Sequence, residues 1–471
     1  MSPTRGVPET AQRVADRLKA KPPWEVYAEH SRRFEVHVNG KTVELTRGPI
    51  ALEGYGLRVL RFREGKTAVG FQASTDLSEK GVHAALADAE RITRYSEFPA
   101  ARVELPSSSA PPAAAPAVVD KELWEHPVEA VDHYVSTLLS CFEGRRQVTP
   151  SFGSVRATLT ETSIVNSNGL RVAYPQTTVE FEVAVKAFGG PEGPPPGEYW
   201  VNDSGRRLDP ASLPAAVDRW CQYAEDVRRA VPPPTGELAV VLPTEVLSGI
   251  LPTSLGFKVS GSARLRKIAV SPGQRVAAEQ VTVVDDGCYD WSLPSSPYDD
   301  EGSPQRSRTL VSAGVVQDLV YDSMYGAAFG VPTTSSAVRS AFGGTLAWRR
   351  FSRAPTPGAT TLAVSPGDGG TDRELIEAAG DGVWVQQLGW AVPDPISSSF
   401  GGEIRIGYRI RNGKLAEPVR GGTIGGVVVG APDAPSMLRG IQALGSTSQL
   451  ADGFASPTML VRPLSVAGSS A

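Results

Sequence analysis

The chain has 471 residues, 41% hydrophobic and 21% charged, with a formal net charge of -4 and no long run of one sign. Its length exceeds what one ordinary core holds, so two or three domains are expected, and the charge balance argues against a broad basic face for nucleic acid. No segment approaches about 18 uninterrupted apolar residues, and the N-terminus lacks the apolar centre of a secretion signal, so the expectation is a cytoplasmic protein with no membrane span.

Cys141, Cys221 and Cys288 are far apart and odd in number, which argues against a disulfide framework or a cysteine zinc cage. His30, His37, His83, His126 and His133 all precede residue 134. Metal or proton-transfer chemistry in the C-terminal half must therefore work without imidazole.

In chain order, a helix is predicted around Glu9 to Lys19. Phe34, Val36 and Val38 alternate with Glu35 and His37, Asn39-Gly40 makes a hairpin turn, and Val43 and Leu45 resume the alternation. Strands over Gly54 to Phe62 and Ala68 to Ala73 flank the turn Glu64-Gly65-Lys66. The stretch Ser74 to Ser78 then supplies N-cap candidates for a helix with Val82, Ala85, Leu86, Ala89 and Ile92 on one face. Leu105 to Val118, LPSSSAPPAAAPAV, reads as an extended linker. A second unit begins near Asp120 with a helix carrying Trp124, Val128, Val131, Val135 and Leu138. It continues into strands around the turn Asn166 to Gly169 and a helix near Ala215 to Ala230. The Pro232-Pro233-Pro234 run marks the next boundary, and beyond it glycine-punctuated strands dominate.

The predicted fold is α+β: small α/β N-terminal (1–104) and central (120–232) domains, joined by the linker 105–119, and a larger, mostly antiparallel β C-terminal domain (233–471). Within the last, Gln274 to Gly302 holds an apolar run, Val281 to Val284, stopped by Asp285-Asp286-Gly287, and a second cluster, Asp299, Asp300, Glu301 and Gly302. Two acidic turns so close together can hold a cation or grip peptide amides; solvated loop carboxylates are the plainer reading.

The ordered set of segments resembles the TldD/PmbA (TldE) family of peptidase subunits. The resemblance rests on GYGLRVLRFREGKTAVGFQASTDLS (Gly54 to Ser78), the turn within Ile164 to Gly169, Gln274 to Ala277, Val281 to Asp286, Asp299 to Gly302 with Pro304, and Ile410 to Gly413 with Pro418. One kind of subunit in that family carries HExxxH on a helix, two imidazoles for zinc and a glutamate base. Laid on Ser248 to Gly261, those positions fall at Pro252, Thr253 and Phe257, and Gly445 to Val461 lacks the family's late cysteine.

The resemblance thus implies the TldE/PmbA kind: no metal and no catalytic residues on this chain, zinc on a TldD-like partner, and a heterodimer enclosing a chamber for peptides or peptide-like natural-product intermediates. Asp299, Asp300, Glu301 and Gly302 would then frame the chamber or the interface. Two other readings stand beside it. A hydrolase using a serine or carboxylate around Ser295 to Ser303 would need a base other than histidine, and no S-x-x-K occurs in that region. A peptide-binding or regulatory homodimer would keep the groove without chemistry. Trp384 and Trp390 are candidates for a pocket wall, or for core packing.

Overall fold

The computed structural model describes residues 10–107, 110–189, 195–339, 350–389, 391 and 393–468. Six antiparallel strands form the first sheet: β1 (Trp24–Asn39), β2 (Thr42–Arg63), β3 (Lys66–Ser74), β4 (Val148–Asn166), β5 (Arg171–Ala187) and β6 (Gly197–Gly205), in the order β3-β2-β1-β4-β5-β6. Strands from both sides of the proline-rich 105–119 segment therefore share one sheet, joined through the β1–β4 ladder. The segment's ends are docked: Leu105 and Val118 are buried, and Asn166 and Asn168 side chains donate to the Pro106 and Leu105 carbonyls.

The predicted hairpins form where glycine allows them. Glu64 and Gly65 both take positive φ (48° and 74°), the pair of left-handed residues that a two-residue hairpin turn requires. On β1, the even-numbered Val26 and Ala28 pack under α1 (Thr10–Arg17) and α2 (Glu79–Ile92), whose N-cap is Ser78 as expected. Val36 and Val38 pack in the cluster that holds α4 (Pro127–Ser140) and α5 (Leu213–Arg229). The helix expected from Asp120 is in fact two, α3 (Lys121–Glu125) and α4, because Pro127 cannot continue the first and opens the second at its N1 position.

β1 begins at Trp24, ten residues earlier than its alternating pattern suggests. Its odd-numbered face at this end, Glu25, Tyr27 and Glu29, is buried against the C-terminal unit rather than open to water. A strand covered on both faces loses its polar alternation signal.

The C-terminal unit is strand-rich. One six-stranded sheet runs Val315–Val316, Ser307–Ser312, Val283–Asp286, Leu362–Val364, Phe454–Ser456, Gln449–Ala451. In a second, Gly382–Gly389, Gly236–Leu242, Met459–Ala467, Thr423–Val427 and Ser399–Arg411 pair in turn, and the last pairs back to the first. The ring is closed, which removes the free edges of those strands. Among the described strands of this unit, Gly382–Gly389 with Gly236–Leu242 and Leu362–Val364 with Phe454–Ser456 pair in parallel and the other ladders are antiparallel, so the unit is mostly antiparallel as predicted. The apolar core between the sheets includes Val240, Leu255, Val283, Leu362 and Val461, each at most 2% exposed.

Candidate functional site

The acidic cluster singled out from the sequence lies at the junction of the first sheet and the C-terminal unit. Asp299, Asp300 and Glu301 are 1%, 1% and 0% exposed. Their turn is knit by its own side chain: Asp299 Oδ1 accepts from the backbone N–H groups of Glu301 (3.0 Å) and Ser303 (2.8 Å), and Asp299 Oδ2 accepts from Ala337 N (3.2 Å). Gly302 sits at φ 87°, where a Cβ would fall 2.3 Å from Leu170 Cδ2 of the first sheet.

Arginines supply the opposite charge. Arg58, paired with Glu25 across the β1–β2 ladder, reaches both Glu25 Oε2 and Glu301 Oε1 at 2.7 Å through one terminal nitrogen. Glu301 Oε2 accepts from Ser323 N (2.9 Å) and Ser323 Oγ (2.6 Å), at the start of the helix Ser323–Phe329, where the helix dipole favours a carboxylate. Arg339 donates to Glu25 Oε1 at 2.8 Å and lies 4.3 Å from the centre of the Tyr27 ring. Arg350 grips both oxygens of Asp300, at 2.5 and 2.6 Å, and Glu29 accepts from Tyr27 Oη and Phe351 N.

Six carboxyl groups, those of Glu25, Glu29, Asp299, Asp300, Glu301 and Asp322, thus meet three guanidinium groups in a buried space. Such an excess of negative charge is relieved by protonation. Burial and the neighbouring Glu301 charge push the carboxyls of Asp299 and Asp322 well above the usual range. Burial also raises Glu25, against the pull of Arg58 and Arg339, and raises Glu29 against Arg350. The side chains proposed for a chamber wall or interface are spent on intrachain partners.

Asp285 behaves similarly on a smaller scale. It was expected to end a strand in an open turn, yet Val283–Asp286 includes it, and it is 4% exposed. Its Oδ1 takes the Thr360 N–H and hydroxyl, both at 2.7 Å, in place of water, while burial pushes its carboxyl up to about 6. Nearby, Arg206 is buried without a carboxylate partner among the described residues. Its nitrogens donate to the carbonyls of Thr177, Ser292, Leu293 and Ser295 and to Gln176 Oε1, tying the 292–295 loop to β5. Burial, with Arg350 beyond it, lowers Arg206 to about 9, still charged at neutral pH.

Pro252, Thr253 and Phe257 all lie on the helix Leu251–Lys258, which buries Leu251, Ser254, Leu255 and Gly256 against the core. Pro252 and Phe257 have no donor atom for a metal, and Thr253 offers only a hydroxyl, so these residues do not fit zinc. Among the described residues no group of three or more His, Cys, Asp or Glu side chains is placed to hold a metal ion. Trp384 is 8% exposed in an apolar cluster with Leu375 and Ile410, which is core packing; Trp390 lies outside the described residues.

A cleft of about 1340 Å³ opens elsewhere, between β6 and α5 on one side and the C-terminal strands on the other. Its walls are aromatic and charged: Trp200, Trp220 and Tyr223, the carboxylates of Asp203, Glu245 and Asp452, and the guanidinium groups of Arg219, Arg405 and Arg420 line it. Sequence reasoning missed both this cleft and the arginine partners of the acidic turn. The available signal for the latter was the alternation in Trp24 to Glu29 and an arginine set between Leu57 and Val59.

Known proteins share this fold. Residues 235–468 match the PmbA/TldA metallopeptidase C-terminal domain, and residues 127–229 match the central domain of the same family. A metalloprotease of Methanothermobacter thermautotrophicus is 25% identical over 354 residues, covering 74% of this chain and 71% of that protein. A metalloprotease TldD homolog of Haemophilus influenzae is 25% identical over 252 residues, 51% of this chain; the match spans 50% of that relative's length. Among solved structures, TldE from Thermococcus kodakarensis superposes with a TM-score of 0.76 at 18% identity, over 97% of this chain and 99% of that one. A structure from Thermotoga maritima described as a putative modulator of a DNA gyrase gives 0.74 at 19% identity, over 94% and 96%. At such identities the structural likeness speaks for the fold, while the two domain matches place the chain: it belongs to the PmbA/TldD metallopeptidase family.

Proposed function

We propose that this chain is the TldE/PmbA-type subunit of a heterodimeric zinc metallopeptidase, lacking its own metal and completing a peptide chamber with a HExxxH-bearing partner. The observation that supports the reading is the helix Leu251–Lys258: it is packed against the core, and Pro252, Thr253 and Phe257, onto which the resemblance lays the HExxxH motif, supply neither an imidazole nor a carboxylate. The partner hydrolyses peptides or peptide-like natural-product intermediates. The buried frame around Asp299, Asp300 and Glu301 serves the chamber from within, by fixing the first sheet against the C-terminal unit.

The test is to copurify the chain with a HExxxH-bearing family member and assay the pair on a peptide library. A stable mixed complex with chelator-sensitive hydrolysis, faster than the partner alone, is expected. No complex, and no change in the partner's activity, would overturn the proposal.

A further inference from the structure

Two strand edges end at the same cleft. Among the described residues, β6 closes the first sheet and pairs only with β5, and Gln449–Ala451 closes a C-terminal sheet and pairs only with Phe454–Ser456. Trp200, Asn202 and Asp203 from one edge and Leu450 and Asp452 from the other line the cleft. The edges are tied at one end, where Ser204 Oγ donates to Asp452 Oδ1 at 2.8 Å.

A free strand edge presents main-chain N–H and C=O groups at the spacing of another extended chain. Along β6, Gln387 Nε2 donates to the Trp200 carbonyl. A side-chain amide thus stands where the N–H of an added strand would. Side chains on β6 alternate as well: Tyr199 is buried, while Glu198, Trp200 and Asn202 are exposed.

The tied end is acidic. Asp203, Glu245 and Asp452 line it, and none has an ion-pair partner among the described residues, whereas Glu403 lies 3.6 Å from Arg405. Asp203 stays reachable by solvent from the cleft; the protein packed around it, with Asp452 and Glu245, lifts its carboxyl to about 6. Arg219, Arg405 and Arg420 also line the cleft, but the charges felt by Asp203 are those of Asp452 and Glu245, so this end disfavours phosphate or carboxylate ligands and favours an ammonium group.

We propose that this cleft binds an extended peptide antiparallel to β6, its backbone adding to that edge and its free amino terminus seated among Asp203, Glu245 and Asp452. The cleft is separate from the helix carrying Pro252, Thr253 and Phe257, none of which lines it. The inference rests on the peptide-handling reading above for its ligand class, so its test uses this chain without a partner.

The experiment measures fluorescence anisotropy of a C-terminally labelled octapeptide of Ala, Val and Ser titrated with the full chain. The free-amine peptide should bind saturably. Acetylating its amino terminus, or substituting D203N and D452N together in the protein, should each weaken binding at least about tenfold, which corresponds to about 1.4 kcal/mol. Methylating alternate backbone nitrogens should abolish binding in one register and spare it in the other. Equal binding of free and acetylated peptides, indifference to both methylation registers, or no saturation at millimolar protein would overturn the proposal. A mixed pair that hydrolyses peptides while this chain alone binds none would sink the cleft and leave the subunit reading standing.

Discussion

Asp285 and Asp299 show how burial changes what an aspartate contributes. Each satisfies backbone donors that water would otherwise serve, and each is held in surroundings that favour its protonated form. For Asp285 the folded-state value of about 6 stands above the ordinary 3.8. A raised carboxyl contributes stability that is full below the unfolded value and is lost as pH rises through the folded one. The window is therefore about pH 4 to 6, and the contribution is at most about 3 kcal/mol. Asp285→Asn keeps an acceptor for Thr360 and removes the titration. Urea unfolding of both proteins across that window should show the variant gaining on the native chain as pH rises. A stability difference that stays constant from pH 4 to 7.5 would contradict this assignment.

Elements with local signals were legible in the sequence. The hairpin turns at Gly40 and Glu64-Gly65, the Ser78 cap, the hairpin at Asn166 to Gly169 and the helix ending near Arg229 form where residue chemistry places them. The start of β1 was not, because Glu25 and Glu29 look like solvent-facing positions until Arg58 and Arg339 are brought to the first, and the Phe351 N–H to the second, from farther along the chain. For the same reason the acidic turn could be recognised but not its surroundings: its partners come from residues 58, 323, 337, 339 and 350. The turn itself makes a local demand at Gly302. Gly302→Ala should cost about 1–3 kcal/mol, since the left-handed backbone and the clash with Leu170 both oppose a Cβ. Chemical denaturation measures it; a change under about 0.5 kcal/mol would mean the turn and Leu170 readily move apart.

At the scale of the whole molecule, the Arg58 network joins the first sheet to the C-terminal unit through charges that cannot reach water. Arg58→Met would leave Glu25 and Glu301 buried with one cation fewer, and should destabilise the fold by about 3–5 kcal/mol. Denaturant titration would show it; a loss below about 1 kcal/mol would mean that protonation of the carboxyls absorbs the change. A rigid frame of this kind suits the proposed role, in which this chain holds a chamber in shape and a partner carries out hydrolysis. The most direct test of that division of labour is metal analysis of this chain and of its one-to-one mixture with a HExxxH-bearing relative, each exchanged against dilute zinc and assayed for peptide hydrolysis. Zinc and hydrolysis are expected only in the mixture, with one zinc per pair. Stoichiometric zinc and chelator-sensitive hydrolysis in this chain alone would contradict that division.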